Sequence, residues 1–515
     1  MAPSALFMLK RALIFVHRWL GVALCVLFLL WFPSGIGMMY WDFPGVSAAD
    51  RLQHAPALDP SKIVLSPSAA YAKLEFSGPR PQILLNSFDG RPAYRFRFGR
   101  DDAIVYADTG EEQIDVPREM IDRAATTWTR QPLSAAGVER AEEVDQWTVQ
   151  RAVSSLSPLW KYSWPNGEQV YVSPTTGEVV QYTTTASRLG AYVGAIPHWF
   201  YFTPLRKHGP EWSQVVIWTS GIGTVSAILG VIIGIWMYSP SKRYRYAGTP
   251  TSIPYRGQKR LHTIFGLIFG IATATWAFSG MLSMDPFPQP TGGQALALRP
   301  GLGPTIPEAL RGEMDVAAFD AKAPREALSQ LEGADVKELE LTTFASEPIY
   351  LARLGDGSTR VVPLNGVPQA ELDRQRVIDV VTTAAQPEGL AEIRVIDQYD
   401  AYYLDRRRTR PLPVILARLN DADQSRYYID PKTGRVVGNY NSGNWVSRWL
   451  YHGLHSFDFP WLYNYRPLWD IVVITFMVGG TALCVTSLIL AWRVLGRKLA
   501  STVASPDRAL SEDLA

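Results

Sequence analysis

Four long apolar runs divide this chain of 515 residues, and the polar stretches between them are very unequal. The runs cover Leu13–Met39, Val215–Tyr238, Leu261–Met284 and Leu468–Trp492. Each is long enough to cross a bilayer as a helix, which takes about 20 apolar residues. No acidic residue occurs from Met1 to Trp41, and none from Trp212 to Met284. Between the runs lie two long segments, 43–211 and 285–467, and one short one, Ser239–Arg260. The long segments show alternation and helical spacing in turn. Ala93-Tyr-Arg-Phe-Arg-Phe and Ala103–Gly110 read as strands around a turn, and Val116–Thr127 and Asp373–Ala385 carry apolar residues at helical spacing. The pattern predicts four membrane helices with α+β domains between them.

The runs are related to one another. His17-Arg-Trp-Leu-Gly21 returns as His262-Thr-Ile-Phe-Gly266, and the register holds without a gap through Trp31 and Trp276 to Ser34-Gly35 and Ser279-Gly280. A second fixed offset places Tyr171-Val-Ser-Pro-Thr-Thr-Gly177 on Tyr428-Ile-Asp-Pro-Lys-Thr-Gly434. That offset also carries His198 onto His455, Phe200 onto Phe457, Trp212 onto Trp469 and Gly223-Thr224 onto Gly480-Thr481. One unit is therefore span, domain, span, and the chain contains two. With two spans per unit, both copies cross in the same direction, a parallel repeat. The periplasmic segments read as two small helix-plus-hairpin modules each.

Charge sets the expected orientation. Lys10 and Arg11 precede the first run, six cations and no acid occupy Ser239–Arg260, and Arg493, Arg497 and Lys498 follow the fourth run. All three segments fall on one side, which makes them cytoplasmic and the long segments periplasmic in a bacterial inner membrane. A cleaved leader is not expected: the first run is too long, and it leads into Met38-Met-Tyr-Trp without a small-residue site. The formal net charge of +2 gives no field that points to nucleic acid. Cys25 and Cys484 both lie inside runs, so no periplasmic disulfide framework is possible.

Six of the seven histidines, His17, His198, His208, His262, His452 and His455, sit near a membrane boundary; only His54 lies in a plain polar stretch and is expected in solvent. A histidine at the mouth of a span is costly unless something binds it. Equivalent histidines at equal depth in a parallel repeat can supply two axial ligands to one iron, a closed geometry suited to electron transfer. His17 with His262 is the candidate inner pair and His198 with His455 the outer one; His208 and His452 have no histidine counterpart, and either is an alternative member of the outer pair or a proton donor near a substrate. There is no Cys-x-x-Cys-His, so a haem here is of b type, and two cysteines cannot hold an iron–sulfur cluster. No dinucleotide or phosphate-binding glycine loop occurs, and the short basic loop is too small for a flavin or nicotinamide domain.

The ordered combination of these motifs resembles the PepSY-associated transmembrane family. The Asp-x-x-Thr-Gly-x-Val hallmark stands as Asp430-Pro-Lys-Thr-Gly434-Arg-Val and, with serine for aspartate, as Ser173-Pro-Thr-Thr-Gly177-Glu-Val; His17-Arg-Trp-Leu-Gly21 resembles the opening span and Leu454-His455-Ser the final histidine motif. The resemblance implies four transmembrane helices and periplasmic PepSY-like domains. The division is 1–41 first helix, 42–211 first domain, 212–238 second helix, 239–260 basic loop, 261–284 third helix, 285–467 second domain, 468–493 fourth helix and 494–515 tail. It also implies a haem-dependent oxidoreductase with two haem b per chain, a ferric-siderophore reductase of the inner membrane. A separate cytoplasmic reductase or the quinone pool would donate electrons, and a ferric siderophore or other periplasmic iron chelate would accept them. The alternative is a non-redox membrane sensor or assembly factor whose PepSY modules bind a periplasmic protein or peptide. A proton-coupled transporter fits less well, because apart from Asp470 the runs hold no acid.

Overall fold

The computed structural model describes residues 5–74, 81–99, 101–287 and 304–503. The chain forms two compact units. One contains residues 1–44, 185–289 and 445–515, and the other 45–184 and 290–444.

The first unit is built on four helices long and apolar enough to cross a membrane: Ala5–Tyr40, Gly209–Met237, Gly257–Leu282 and Leu468–Val503. In a bilayer every backbone polar group must be paired internally, which a helix does by itself. The first and third helices each pack on the second and the fourth, so they stand on a diagonal of the bundle. Small residues let the helices approach. A side chain at Gly223 would meet the Phe28 ring, one at Gly479 the Phe269 ring and one at Gly480 the Phe32 ring. The outward positions Trp218, Ile222, Val225, Ile271, Val478 and Trp492 are exposed apolar side chains, the surface a helix presents to lipid. The second and third helices join through a small hairpin, where Tyr244–Tyr246 pairs with Thr249–Thr251.

The second unit is antiparallel sheet with helices laid on it. Before the hairpin, its strands are β1 (Gln82–Phe88), β2 (Arg91–Phe98), β3 (Asp101–Tyr106), β4 (Gly137–Ala141), β5 (Leu159–Ser163), β6 (Gln169–Val172) and β7 (Val179–Thr183). With the hairpin strands counted as β8 and β9, it continues with β10 (Val336–Phe344), β11 (Glu347–Leu354), β12 (Thr359–Pro363), β13 (Leu390–Ile396), β14 (Val414–Leu419), β15 (Arg426–Asp430) and β16 (Arg435–Tyr440). β4 to β7 and β13 to β16 each form a four-stranded meander. Helices Arg118–Thr129 and Arg374–Ala384 cover them through Ile121, Ala125 and Trp128, and through Val377 and Val381.

The remaining strands join into one six-stranded sheet, ordered β12-β11-β10-β1-β2-β3. Its central pair brings Ile83 opposite Leu341 and Leu85 opposite Leu339, and these four side chains are buried in one core with Tyr94, Phe96 and Tyr350. The four modules read from the sequence are thus three sheets, because the three-stranded pieces of the two long segments pair edge to edge. Free edges invite such pairing. The opposite face carries Glu340, which is ion-paired with Arg435, and Arg95, 2.8 Å from Glu178. Glu178 and Arg435 follow the two Thr-Gly turns directly, so each turn is fastened to the central sheet. Within the turns, Asp430 accepts from the Lys432 amide at 3.0 Å and the Thr433 hydroxyl at 2.9 Å, and Ser173 Oγ accepts from the Thr175 and Thr176 amides at 3.2 Å. Gly177 and Gly434 both sit at φ +66°, the left-handed region that glycine enters freely.

His54 is a correction to the sequence reading. It does not stand in solvent: its ring stacks on Trp128 at 3.9 Å and 4°, and Nδ1 contacts the Asp50 carbonyl at 2.8 Å.

Candidate functional site

The diagonal helices place His17 and His262 opposite one another near the hairpin end of the bundle, with ring centres 6.2 Å apart. Each ring is tethered from a neighbouring helix. His17 Nδ1 donates to the Ser226 carbonyl at 3.0 Å. His262 Nδ1 contacts the hydroxyls of Thr486 at 3.2 Å and Ser487 at 3.3 Å. Both hydroxyls give their own proton to the Leu483 carbonyl, so their lone pairs face the imidazole N–H. The helix opposite His17 is stripped to backbone: a Cβ at Gly230 would lie 2.7 Å from the His17 ring.

His198 and His455 meet at the other end, with ring centres 6.0 Å apart. They come not from the spans but from the short helices Ala195–Trp199 and Leu454–Ser456, which precede the second and fourth spans. Both short helices end on a phenylalanine in the left-handed region, Phe200 at φ +53° and Phe457 at φ +52°. Such backbone costs energy for a bulky residue and persists only where its surroundings hold it. Here Phe200 lies against Trp31, at 5.4 Å, and Phe457 against Trp276, at 5.2 Å. The spans lock the turns further, since Trp212 Nε1 donates to the Trp199 carbonyl at 2.7 Å and Trp469 Nε1 to the Ser456 carbonyl at 3.0 Å.

The tethers of this pair come from the first and third spans. His198 Nδ1 reaches the Trp31 carbonyl at 3.1 Å and Ser34 Oγ at 3.2 Å, and His455 Nδ1 reaches Ser279 Oγ at 3.0 Å. Ser34 donates its proton to the Leu30 carbonyl and Ser279 to the Trp276 carbonyl, which leaves both oxygens as acceptors. Burial lowers the pKa of His198 and of His455, which favours the neutral, ligating ring. A pocket partly open to the surface adjoins them, walled by aromatic side chains including Phe28, Trp31, Trp212 and Trp276. The buried Trp276 Nε1 has no hydrogen-bond partner among the described residues.

The structure therefore brings His17 to His262 and His198 to His455. It does not bring His208 or His452 into either pair. His208 is exposed at the start of the second span, and His452 is exposed beside Tyr451, 4.7 Å between ring centres. Among the cations at the ends of the spans, Arg466 pairs with Asp470 at 2.7 Å, Arg260 donates to Thr251 at 2.9 Å, and Arg18 lies over Phe15 and Trp19. Sequence reasoning missed the hydroxyl tethers. Ser34 and Ser279 had left a signal, since both recur in the Ser-Gly pair that closes each repeated run.

The donor set can be tested against an axially ligated iron. Two imidazoles bound through Nε2 at about 2 Å hold their ring centres about 6 Å apart. The two observed separations match that spacing. All four Nδ1 atoms are tethered, which fixes the tautomer with a lone pair on Nε2. No hydrogen bond reaches any of the four Nε2 atoms among the described residues. The residues fit two bis-histidine haems.

No curated protein matches the chain at a significant level. The profile of the PepSY-associated TM region matches residues 14–343 and again 260–512, which together take in nearly the whole sequence. With four candidate membrane helices and α+β segments between them, this chain is a multi-pass membrane protein that belongs to the PepSY-associated TM family.

Proposed function

We propose that the protein is a b-type di-haem cytochrome of a bacterial inner membrane that carries electrons outward to a periplasmic ferric chelate. One observation carries this reading: two facing pairs of histidines, each ring tethered at Nδ1 and open at Nε2, at opposite ends of one bundle. His17 and His262 would hold the inner haem, and His198 and His455 the outer one. Haem iron supplies one-electron transfer, and with both axial positions closed it does so without binding oxygen. The chain's own residues do the rest. Ser226, Thr486 and Ser487 orient the inner imidazoles; Ser34 and Ser279 orient the outer ones. Apolar helix faces keep water from both sites, and low polarity around a centre is one of the levers that sets its potential.

Equivalent contacts support the tandem parallel repeat. Ser34 with His198 corresponds to Ser279 with His455, Trp31 with Phe200 to Trp276 with Phe457, and the Trp212 bond to the Trp469 bond. The acid-free hairpin loop and the flanking cations support cytoplasmic ends and periplasmic long segments. Reduction of iron to Fe(II) weakens its hold on hard oxygen donors, so the metal leaves an intact carrier. A separate reductase or the quinone pool supplies the electrons.

The test is an optical spectrum of the detergent-purified protein, air-oxidised and then reduced with dithionite, with haem counted per chain. Two b haems per chain are expected. A colourless protein after expression with ample haem refutes the reading and leaves the binding of a periplasmic protein or peptide as the function to test.

A further inference from the structure

The wall of the cavity beside His455 reaches the surface through a segment that haem binding does not use. Residues Val446–Gly453 form a π-helix, a widened turn that is rare and recurs at functional sites. It is anchored from within: Arg448 is buried, lies over Trp449 at 4.4 Å, and donates to the Asp458 carbonyl at 2.6 Å. Tyr451 in this turn lines the cavity. Its ring centre lies 5.5 Å from that of His455 on one side and 4.7 Å from that of His452 on the other. His452 is exposed. Three rings thus make an unbroken path of contacts from the outer histidine pair to the surface. Neither Tyr451 nor His452 has a like residue at the aligned position of the first copy, where Gly194 and Ala195 stand. Only one copy has the path.

We propose that Tyr451 and His452 form the acceptor-contact site of the protein. His452 touches a ferric chelate rich in anionic or carbonyl oxygens, and Tyr451 bridges it to the His198–His455 centre. The inference rests on the cytochrome reading. In the step, one electron leaves that centre, which is oxidised by one unit, and Fe(III) in the chelate becomes Fe(II); no bond to the protein forms or breaks. Imidazole suits such a contact, because its N–H donates to ligand oxygens. The phenol ring between them removes the gap that a tunnelling electron would otherwise cross. The first copy, with glycine and alanine there, offers no equivalent exit, so delivery is one-sided although the histidine pairs are symmetric.

The experiment compares the full-length protein in detergent with His452→Ala, Tyr451→Leu and Tyr451→Phe. Each is first scored for haem content and reduced spectrum. Binding is then measured by calorimetry with Ga(III)–desferrioxamine B, a redox-inert trihydroxamate, and oxidation of the dithionite-reduced protein by the Fe(III) complex is followed by stopped flow. His452→Ala is expected to keep both haems, to bind the gallium complex about tenfold more weakly, and to lose a like factor in the second-order rate. Tyr451→Leu is expected to keep that binding yet to slow oxidation about tenfold at saturating chelate, with Tyr451→Phe close to wild type. Wild-type binding and rates in His452→Ala overturn the proposal, and so does loss of the outer haem in that variant, which makes His452 part of the haem site instead. Failure of the parent reading looks different: the wild-type protein itself would carry no haem.

Discussion

Gly230 offers the sharpest test of how the inner site is built. Its ideal Cβ would lie 2.7 Å from His17 Cε1 and 3.3 Å from both ring nitrogens. Carbon atoms in good contact stand about 3.5–4.0 Å apart, so Gly230→Ala asks the ring to retreat by roughly 0.8 Å. Ligand positions at a metal tolerate about 0.2 Å. The retreat also strains the 3.0 Å bond from His17 Nδ1 to the Ser226 carbonyl, one turn before Gly230 on the same helix. Helix stability is not the casualty. Alanine in place of glycine favours a helix by about 1 kcal/mol, which offsets part of an overpacking cost of about 1–3 kcal/mol. The bundle should therefore fold, and the loss should fall on the inner haem, whose affinity drops by about 10- to 100-fold as when a tether of a metal ligand is removed. The assay is haem per chain with the reduced-minus-oxidised spectrum, expected to fall from two haems towards one. Gly21→Ala is the control, because nothing lies within 4 Å of a Cβ there. Two haems with unshifted bands in Gly230→Ala would show that the His17 ring is not held where a ligand needs to be.

Four further outcomes follow from the same geometry. Single His17→Ala or His262→Ala should abolish the inner haem absorbance while the outer one persists; intact spectra in both variants refute that assignment. Ser279→Ala removes the 3.0 Å hydroxyl contact to His455 and should shift the midpoint potential of the outer haem alone, measured by redox titration, with Ser279→Thr restoring it. In the sheet unit, the buried Lys322 ammonium donates to the Pro363 carbonyl at 2.7 Å, the Gly366 carbonyl at 3.1 Å and Gln330 Oε1 at 3.2 Å. Lys322→Met leaves those acceptors unpaired and should cost about 2–4 kcal/mol in urea unfolding followed by tryptophan fluorescence, whereas a loss below about 0.5 kcal/mol contradicts the bonding. Asp108 is held below the ordinary carboxylate range by its hydrogen bond from Arg91, so its contribution is present above the unfolded pKa and fades as pH falls through the folded one. Asp108→Asn should flatten that acid limb of the stability curve; an unchanged limb excludes the pair as its source.

Much of the bundle was legible in the sequence because a lipid-facing helix has no choice of pattern. It must be apolar almost all round, and the four runs were. The histidine pairs were legible for a different reason. A lone histidine near a membrane carries little information, but His17 and His262 share a register with Trp31 and Trp276 through a whole span, and His198 and His455 share one with Trp212 and Trp469. What stayed hidden depended on distant partners. Nothing in the alternation of β1 or β10 specifies that Leu85 faces Leu339, because many other strands offer the same pattern of buried positions. His54 sits among polar neighbours, yet Trp128 supplies its stacking partner from another part of the chain. The left-handed turns at Phe200 and Phe457 contradict local propensity outright, and they occur where the outer histidines must be aimed.

The two sites differ in what positions them, and the difference follows from depth. His17 and Ser34 lie on one helix, 17 positions apart, which at 1.5 Å per residue is about 25 Å along its axis. That nearly spans a hydrocarbon core of about 30 Å. A centre at the Ser34 level is thus close to the far face, within six residues of the end of the first helix at Tyr40. The outer pair accordingly comes from short helices that fold back over the bundle end, while the spans contribute only the serine tethers. Loops are freer to move than spans, which is why these turns need Trp212, Trp469 and the strained phenylalanines to hold them. On the proposed reading, the rigid pair stands next to the electron source and the pair in the more adjustable frame next to the acceptor. Trp212→Phe should therefore loosen only the outer site: a broadened or split outer-haem signal in electron paramagnetic resonance, with the inner signal unchanged, is the expected result. Equal broadening of both signals would mean that the bond from Trp212 to Trp199 supports the whole bundle rather than one turn.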